Sequence, residues 1–345
     1  MRSPSYAQRL PAEWEAQDAV LLAWPHKKTD WSSILDQAQA VYLEITRQII
    51  RFEAVVIVSP EPDSVRQQLQ GAGVNLSRIT VLDIDTNDTW ARDFGPLCVQ
   101  TASGIRILDF AFNGWGEKFP AEKDNRVTSE ICALKFFNPE KRQTVQLTLE
   151  GGSIEVDGRG TLLTTSQCLL NPNRNPELKR FQLEEQLSEH LGIDNFLWLD
   201  HGYLAGDDTD SHIDTLARLC PDDTIIFMAC ADEEDEHFYE LKKMEAQLTS
   251  FKTPAGTPFR LLPLPWPQPV YDEEQRLPAT YANFLVINQA VLVPTYNDPA
   301  DTEALQQISI AYPDRDVIGI DCRPLIKQHG SLHCISMQLP QGILT

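Results

Sequence analysis

Five polar residues spread along this chain carry the chemistry worth testing first. Asp93 lies in TWARDFGP (89–96), Glu150 in LEGGSIEVDG (149–158), His212 and Asp214 in GDDTDSHIDTLARL (206–219), and Cys334 in GSLHCISMQLP (330–340). A thiolate is a nucleophile, and a histidine moves protons near neutral pH. Carboxylates beside a thiol raise its pKa and blunt it, unless the substrate brings a positive charge that balances them. A guanidinium meets that condition. It is planar, its forked N–H donors match carboxylates, and its central carbon is open to a thiolate.

Each residue also has a plain structural reading. Asp93 could form a loop salt bridge with its neighbour Arg92. The run Glu150-Gly151-Gly152 could be a strand end and a tight turn. His212-Ile213-Asp214 could be a capping group ahead of TLARL, and Cys334 a small buried hydrophobe. Metal binding fits poorly. DDTDSHID begins like a calcium loop but places Ile213 where the loop needs Gly and Leu219 where it needs Glu. His201, His212 and a Cys lack zinc-ligand spacing, so no metal is expected.

The spacing of these segments predicts how they are brought together. With YANF (281–284) and VPTYND (293–298) as a further polar pair, the anchors Asp93, Glu150, His212, Tyr281 and Cys334 stand 57, 62, 69 and 53 residues apart. Each abuts an expected strand. One polar loop per repeated unit, all converging on a common axis, would collect them.

The elements between them alternate. SILDQAQAVYLEITRQIIRF has helical spacing and precedes the buried strand AVVIV. PDSVRQQLQGAG reads as a helix with Asp63 as candidate N-cap, and ITVLDID as a strand. TVQLTLE is the next strand, followed by a hairpin over SIEV and TLLTT with Asp157-Gly158 at its turn. Helices over PELKRFQLEEQLSEHLG, over EEDEHFYELKKMEAQLTSF with DEEDEH (232–237) at its start, and over TEALQQISIAY alternate with the strands FLWLDHG, TIIFMAC, YANFLVI, AVLVPTY, DVIGID and CISMQL. Mixed α/β of this kind suits a doubly wound sheet or a ring of strand–helix units. AVVIVSPEPDSV lacks the glycine-rich phosphate turn, which disfavours a nucleotide fold.

Composition narrows the class. At 345 residues, with 42% hydrophobic and 23% charged residues, the chain reads as one soluble globular domain spanning 1–345, and no linker divides it. A net charge of −21 argues against nucleic acid and against anionic membranes. It suits a small cationic partner, and it also serves solubility. Seven cysteines without a CxxC pair, behind an N-terminus with no apolar h-region, point to reduced thiols and a cytoplasmic protein. Apolar runs such as AVLLAW are too short to span a bilayer. The aromatic, Pro-rich PLPWPQPVY (263–271) would serve either a homo-oligomer interface or an extended surface loop.

Seven segments in order, LPAEWEAQDAVLLAWP, TWARDFGP, FNGWGEKFP, LEGGSIEVDGRGTLLTT, DDTDSHIDTLARL, YANFLVINQAVLVPTYND and GSLHCISMQLP, resemble the agmatine deiminase family of the guanidine-modifying superfamily, which also holds bacterial-type peptidylarginine deiminases. The resemblance implies a fivefold pseudosymmetric α/β propeller, pentein-like, with the active site on its axis. It implies Cys334 as nucleophile, His212 as general acid/base, and Asp93 and Asp214 as the grip on the guanidinium nitrogens. Glu150 would steady the substrate or His212, and Trp90 would wall the pocket. The implied activity converts agmatine to N-carbamoylputrescine and ammonia through a covalent thiouronium, with no cofactor, in polyamine biosynthesis. Phe94, Asp210-Ser211, Thr215 and Ser331-Leu332 depart from the commonest pattern. Free or peptidyl arginine as substrate, amidino transfer to an amine, and a non-catalytic binding propeller stay as alternatives.

Overall fold

Residues 8–344 are described in a computed structural model. Five sheets, among the described residues, repeat one strand order. A first strand runs antiparallel to a second, and a helix-bearing crossover then brings a third strand parallel to the second. The first sheet is built on Leu97–Thr101, Gly104–Ala111 and Arg142–Thr148. The next is Ile154–Val156, Thr161–Thr165 and Asn195–Leu199. The third is Ala217–Cys220, Thr224–Met228 and Arg260–Leu264. The fourth is Leu285–Ile287, Ala290–Thr295 and Asp316–Asp321. The fifth joins the two ends of the chain: Ser336–Pro340 pairs antiparallel with Gln17–Ala23, which pairs parallel with Ala54–Ser59.

Parallel neighbours need a long crossover, and a helix supplies it in every unit. The helix Leu35–Ile49 shows why. Ala38, Val41, Tyr42, Ile45 and Ile49 recur at three- and four-residue steps and are buried. The strand it leads to, Ala54–Ser59, is buried along nearly its whole length, as expected of a parallel strand covered on both faces. The helix Arg180–Leu191 ends at Gly192, whose φ is 73°. A Cβ there would lie 2.1 Å from the Gln8 carbonyl oxygen, so both the left-handed turn and the close approach require glycine.

Local expectations fail at three places. The helix Pro62–Gly71 has Glu61, not Asp63, at its N-cap, because Pro62 takes the first helical position. The acidic run 232–237 lies in turns, and its helix begins at Phe238. His212-Ile213-Asp214 caps no α-helix: a single 3-10 turn over Ile213–Thr215 leads directly into the strand Ala217–Cys220. No helix among the described residues is long and apolar enough to cross a membrane.

The units are tied together by one buried cation. Arg218, 1% exposed, lies on the first strand of the third sheet. It pairs with Glu155 of the second sheet and with Glu13 at 2.5 Å. It also donates to the carbonyls of Ala282 (3.0 Å) and Phe284 (2.7 Å), at the entrance to the fourth sheet. His333 Nε2, ahead of the fifth sheet, is 3.1 Å from the same guanidinium. Truncating this group leaves Glu155 buried without its cation and Glu13 with only Arg92 and His333. Arg218→Ala should therefore lower the free energy of unfolding by about 3–5 kcal/mol in urea denaturation. A loss below about 1 kcal/mol would show that the units cohere without it.

Candidate active site

Each of the five first strands is preceded by a short turn that carries polar side chains. Asp93 lies ahead of Leu97, Glu150 ahead of Ile154, His212 and Asp214 ahead of Ala217, and Cys334 ahead of Ser336. The structure brings these five together. In the remaining unit the expected anchor is Tyr281, but its hydroxyl donates to Asp301 Oδ1 at 2.8 Å, outside the group. The residue that reaches the group is Asn283, whose Nδ2 donates to Cys334 Sγ at 3.2 Å.

Arg92 and Asp93 do not form the loop salt bridge considered above. They sit on one helical turn, Ala91–Phe94, where neighbours point about 100° apart. Arg92 turns to Glu13 (3.3 Å) and Gln338, and Asp93 turns to the cleft. Asp93 Oδ1 accepts from the Gly152 amide at 2.9 Å, and Oδ2 from Trp115 Nε1 at 3.0 Å. A Cβ on Gly152 would come within 2.6 Å of His212 Nδ1 and 3.0 Å of Asp214 Oδ2, so glycine is what lets the three residues close up.

His212 is 1% exposed, and neither of its ring nitrogens has a hydrogen-bond partner. Nδ1 is 3.7 Å from Asp93 Oδ1, and Nε2 is 4.0 Å from Glu150 Oε2. Burial pushes its pKa down to about 4, so the ring is neutral at pH 7. Glu150 Oε1 accepts from Arg174 Nε at 3.0 Å, while Oε2 has no partner. Burial raises the Glu150 carboxyl even against Arg174. Burial, then the neighbouring Asp214 and Glu150, push Asp93 well above the usual carboxylate range.

Asp214 goes the other way. Burial works to raise it, yet the hydrogen bond and charge of His333 hold it below its ordinary value. His333 Nδ1 donates to Asp214 Oδ2 at 2.7 Å, and Nε2 is 2.7 Å from Glu13 Oε1. Oδ1 of Asp214 is left buried and unpartnered. Cys334 lies in a turn just before the strand Ser336–Pro340, not within it. Its Sγ is 3.9 Å from Asp214 Oδ2. Burial, with Asp214 and Asp93, raises the thiol well above its ordinary value.

A cleft of about 530 Å³, counted with its open mouth, reaches Cys334, His212, Asp93 and Trp90. Trp90 lies against Gly330, where a Cβ would be 2.2 Å from the ring, and its indole N–H donates to Asp88 Oδ2 at 3.0 Å. Sequence reasoning did not single out Asn283, Glu13, His333, Arg174 or Trp115. Asn283 lies within the named segment YANF (281–284), two residues after Tyr281, and His333 directly precedes Cys334. Glu13, Arg174 and Trp115 carry no spacing signal.

The sequence profile of the Porphyromonas-type peptidyl-arginine deiminases matches residues 9–340. The chain belongs to that family. Among its relatives, the agmatine deiminase of Stutzerimonas stutzeri (strain A1501) is 32% identical over 96% of this chain and 95% of that protein. A Cys-to-Ser variant of C. jejuni agmatine deiminase with substrate bound is 40% identical, with a TM-score of 0.91 over 97% of each chain. The agmatine deiminase of Enterococcus faecalis is 28% identical, with a TM-score of 0.88 over 97% of this chain and 96% of that one. The match to the peptidyl-arginine deiminase family takes in all six turn residues described above, from Asp93 to Cys334.

His212 titrates near 6.5 in the unfolded chain and near 4 when folded. Between these values the unfolded chain binds the proton more readily, so stability falls as pH falls from 6.5 to 4. At about 1.4 kcal/mol per pH unit the loss approaches about 3 kcal/mol. Urea denaturation at both pH values should show wild type losing about that much more than His212→Gln. Equal losses would mean that the ring is not held neutral.

Proposed function

We propose that this protein hydrolyses agmatine to N-carbamoylputrescine and ammonia, with Cys334 as the nucleophile. One observation carries the reading. Asp214 Oδ1, Glu150 Oε2 and both nitrogens of His212 are buried without partners, grouped around a buried thiol. Orphaned buried acceptors are costly and call for a donor. A guanidinium supplies several donors in one plane together with the positive charge that the acids favour.

The rest of the cleft favours an amine tail over a carboxylate. Asp30, Asp88, Asp207 and Asp208 line it, and no Lys or Arg does among the described residues. Burial raises Asp88 to about 7 and Asp208 to about 6, so an incoming ammonium would draw their protons off. The α-carboxylate of arginine would meet those four acids and, among the described residues, no Lys or Arg, with Thr209, Gln328 and His329 as the other polar neighbours. The aromatic faces of Trp90 and Trp115 suit the methylene chain between the two cations.

The steps follow from these ionisation states. Asp93 and Asp214 hold the guanidinium with its carbon toward Sγ. The bound cation favours the thiolate, and neutral His212 takes the thiol proton. Sulfur adds to the carbon. His212 then passes its proton to one nitrogen, which leaves as ammonia, and an S-alkylthiouronium remains. Water, deprotonated by His212, adds to the same carbon. Collapse breaks the C–S bond and returns the thiol and a neutral ureido product, and the remaining proton leaves with ammonia as ammonium. Glu150, fixed by Arg174, holds the His212 ring between the two transfers.

The fold belongs to this reading as a single-domain fivefold propeller. Its support is the strand order common to five sheets and the contribution of every unit to one group of side chains.

Purified protein should release ammonia from agmatine with kcat/KM at least about 100-fold above that for arginine, as two or more charged contacts to the tail would give. Cys334→Ser should abolish turnover while leaving the melting temperature near wild type. Asp208→Asn should lower kcat/KM for agmatine by about 10- to 100-fold. Turnover confined to a capped arginine would reject agmatine as the substrate.

A further inference from the structure

We infer that Glu150, Cys168 and His212 form a binding site for one borderline divalent cation such as Zn2+, and that filling it stops the enzyme. The inhibitory part rests on His212 being the proton carrier; the metal site itself does not.

Cys168 lies on the short helix Ser166–Leu169 and is fully buried. It does not line the cleft, and the steps above make no use of it. One ligand atom from each of Glu150, Cys168 and His212 lies within 4.8 Å of the other two. All three residues are buried, and Glu150 Oε2 and both His212 nitrogens lack partners. Zinc bonds of about 2.0–2.3 Å would draw the ligand atoms together by about an ångström, with the fourth position left to water.

The donor set selects the metal. One thiolate, one imidazole and one carboxylate suit zinc or cobalt, and magnesium or calcium would want oxygens. The surrounding charge permits a dication. Arg174 is the cation close by, and it holds the other oxygen of Glu150 and also pairs with Asp210. Asp93 stands 3.7 Å from the far nitrogen of His212. Binding deprotonates the Cys168 thiol and releases one proton to solvent. His212 faces the cleft, so the ion enters by the substrate's route; bound at Nε2 on the Glu150 side, it leaves the ring's proton on Nδ1, and the ring can then accept no other.

The test separates this site from capture of zinc by the nucleophile. Co2+ is titrated into the Cys334→Ser protein, which retains Cys168. One equivalent should bind with a thiolate-to-cobalt charge-transfer band, and the band should vanish in the Cys334→Ser/Cys168→Ser double variant. In activity assays Zn2+ should inhibit wild type reversibly on chelation, and Mg2+ should not. Cys168→Ser should keep its turnover and require at least about tenfold more Zn2+ for half inhibition, since losing a ligand outweighs losing an outer-shell partner. Cys168→Ala serves if the serine variant folds poorly. Absence of a band in Cys334→Ser, its survival in the double variant, or unchanged Zn2+ sensitivity in Cys168→Ser would each overturn the site. A cobalt band in an enzyme inactive on agmatine would uphold the site and reject only the reading of His212.

Discussion

Three carboxylates, a thiol and an imidazole buried around one small volume cannot all be charged, and that constraint governs the site. Desolvation raises Asp93, Glu150 and the Cys334 thiol, and lowers His212. Each of those groups is pushed toward its neutral form. Asp214 alone is held as an anion, by His333. In the empty site burial thus works against every charge in the group, and only for Asp214 do the neighbours prevail. A cationic substrate changes the balance at once: it favours ionised Asp93, favours the thiolate, and leaves a neutral His212 free to take the proton. The nucleophile is activated by the molecule it attacks, which keeps the resting thiol unreactive.

The fold meets this constraint by repetition. A short first strand, entered through a turn, puts one or two polar side chains at the same end of each unit. Convergence was legible because the motifs recur at similar intervals and each stands before a strand. The direction of a side chain was not. Tyr281 is the anchor expected in the polar segment YANF, yet Asn283 of the same segment contacts the sulfur while Tyr281 reaches Asp301. The strands Gly104–Ala111 and Arg260–Leu264 gave weaker patterns, since charged residues, and in the second a proline, interrupt them. The TLARL segment has helix-forming residues but pairs as a strand, because its Arg218 must point into the interior. What fixes ionisation, namely Glu13, His333 and Arg218, comes from three distant parts of the chain and leaves no local trace.

The buried charges behind Asp214 need a reason, since a well-packed apolar cluster of the same volume is often as stable or more so. Arg218 and Arg92 supply two positive charges; Glu13, Glu155 and Asp214 supply carboxylates; His333 lies between them. Glu13 is driven well below its ordinary pKa: burial opposes this, but Arg218, His333 and Arg92 prevail. His333 lies between two carboxylates, Glu13 at Nε2 and Asp214 at Nδ1, each at 2.7 Å; an N–H on Nδ1 favours the Asp214 anion through Oδ2, and Oδ1 is left for the substrate. An apolar replacement could hold the sheets together equally well, but Asp214 would then sit beside Asp93 with nothing to favour its charge. The cluster thus links the joining of the chain's two ends, through Glu13 and His333, to the ionisation of the one residue that must already be an anion when the cation arrives.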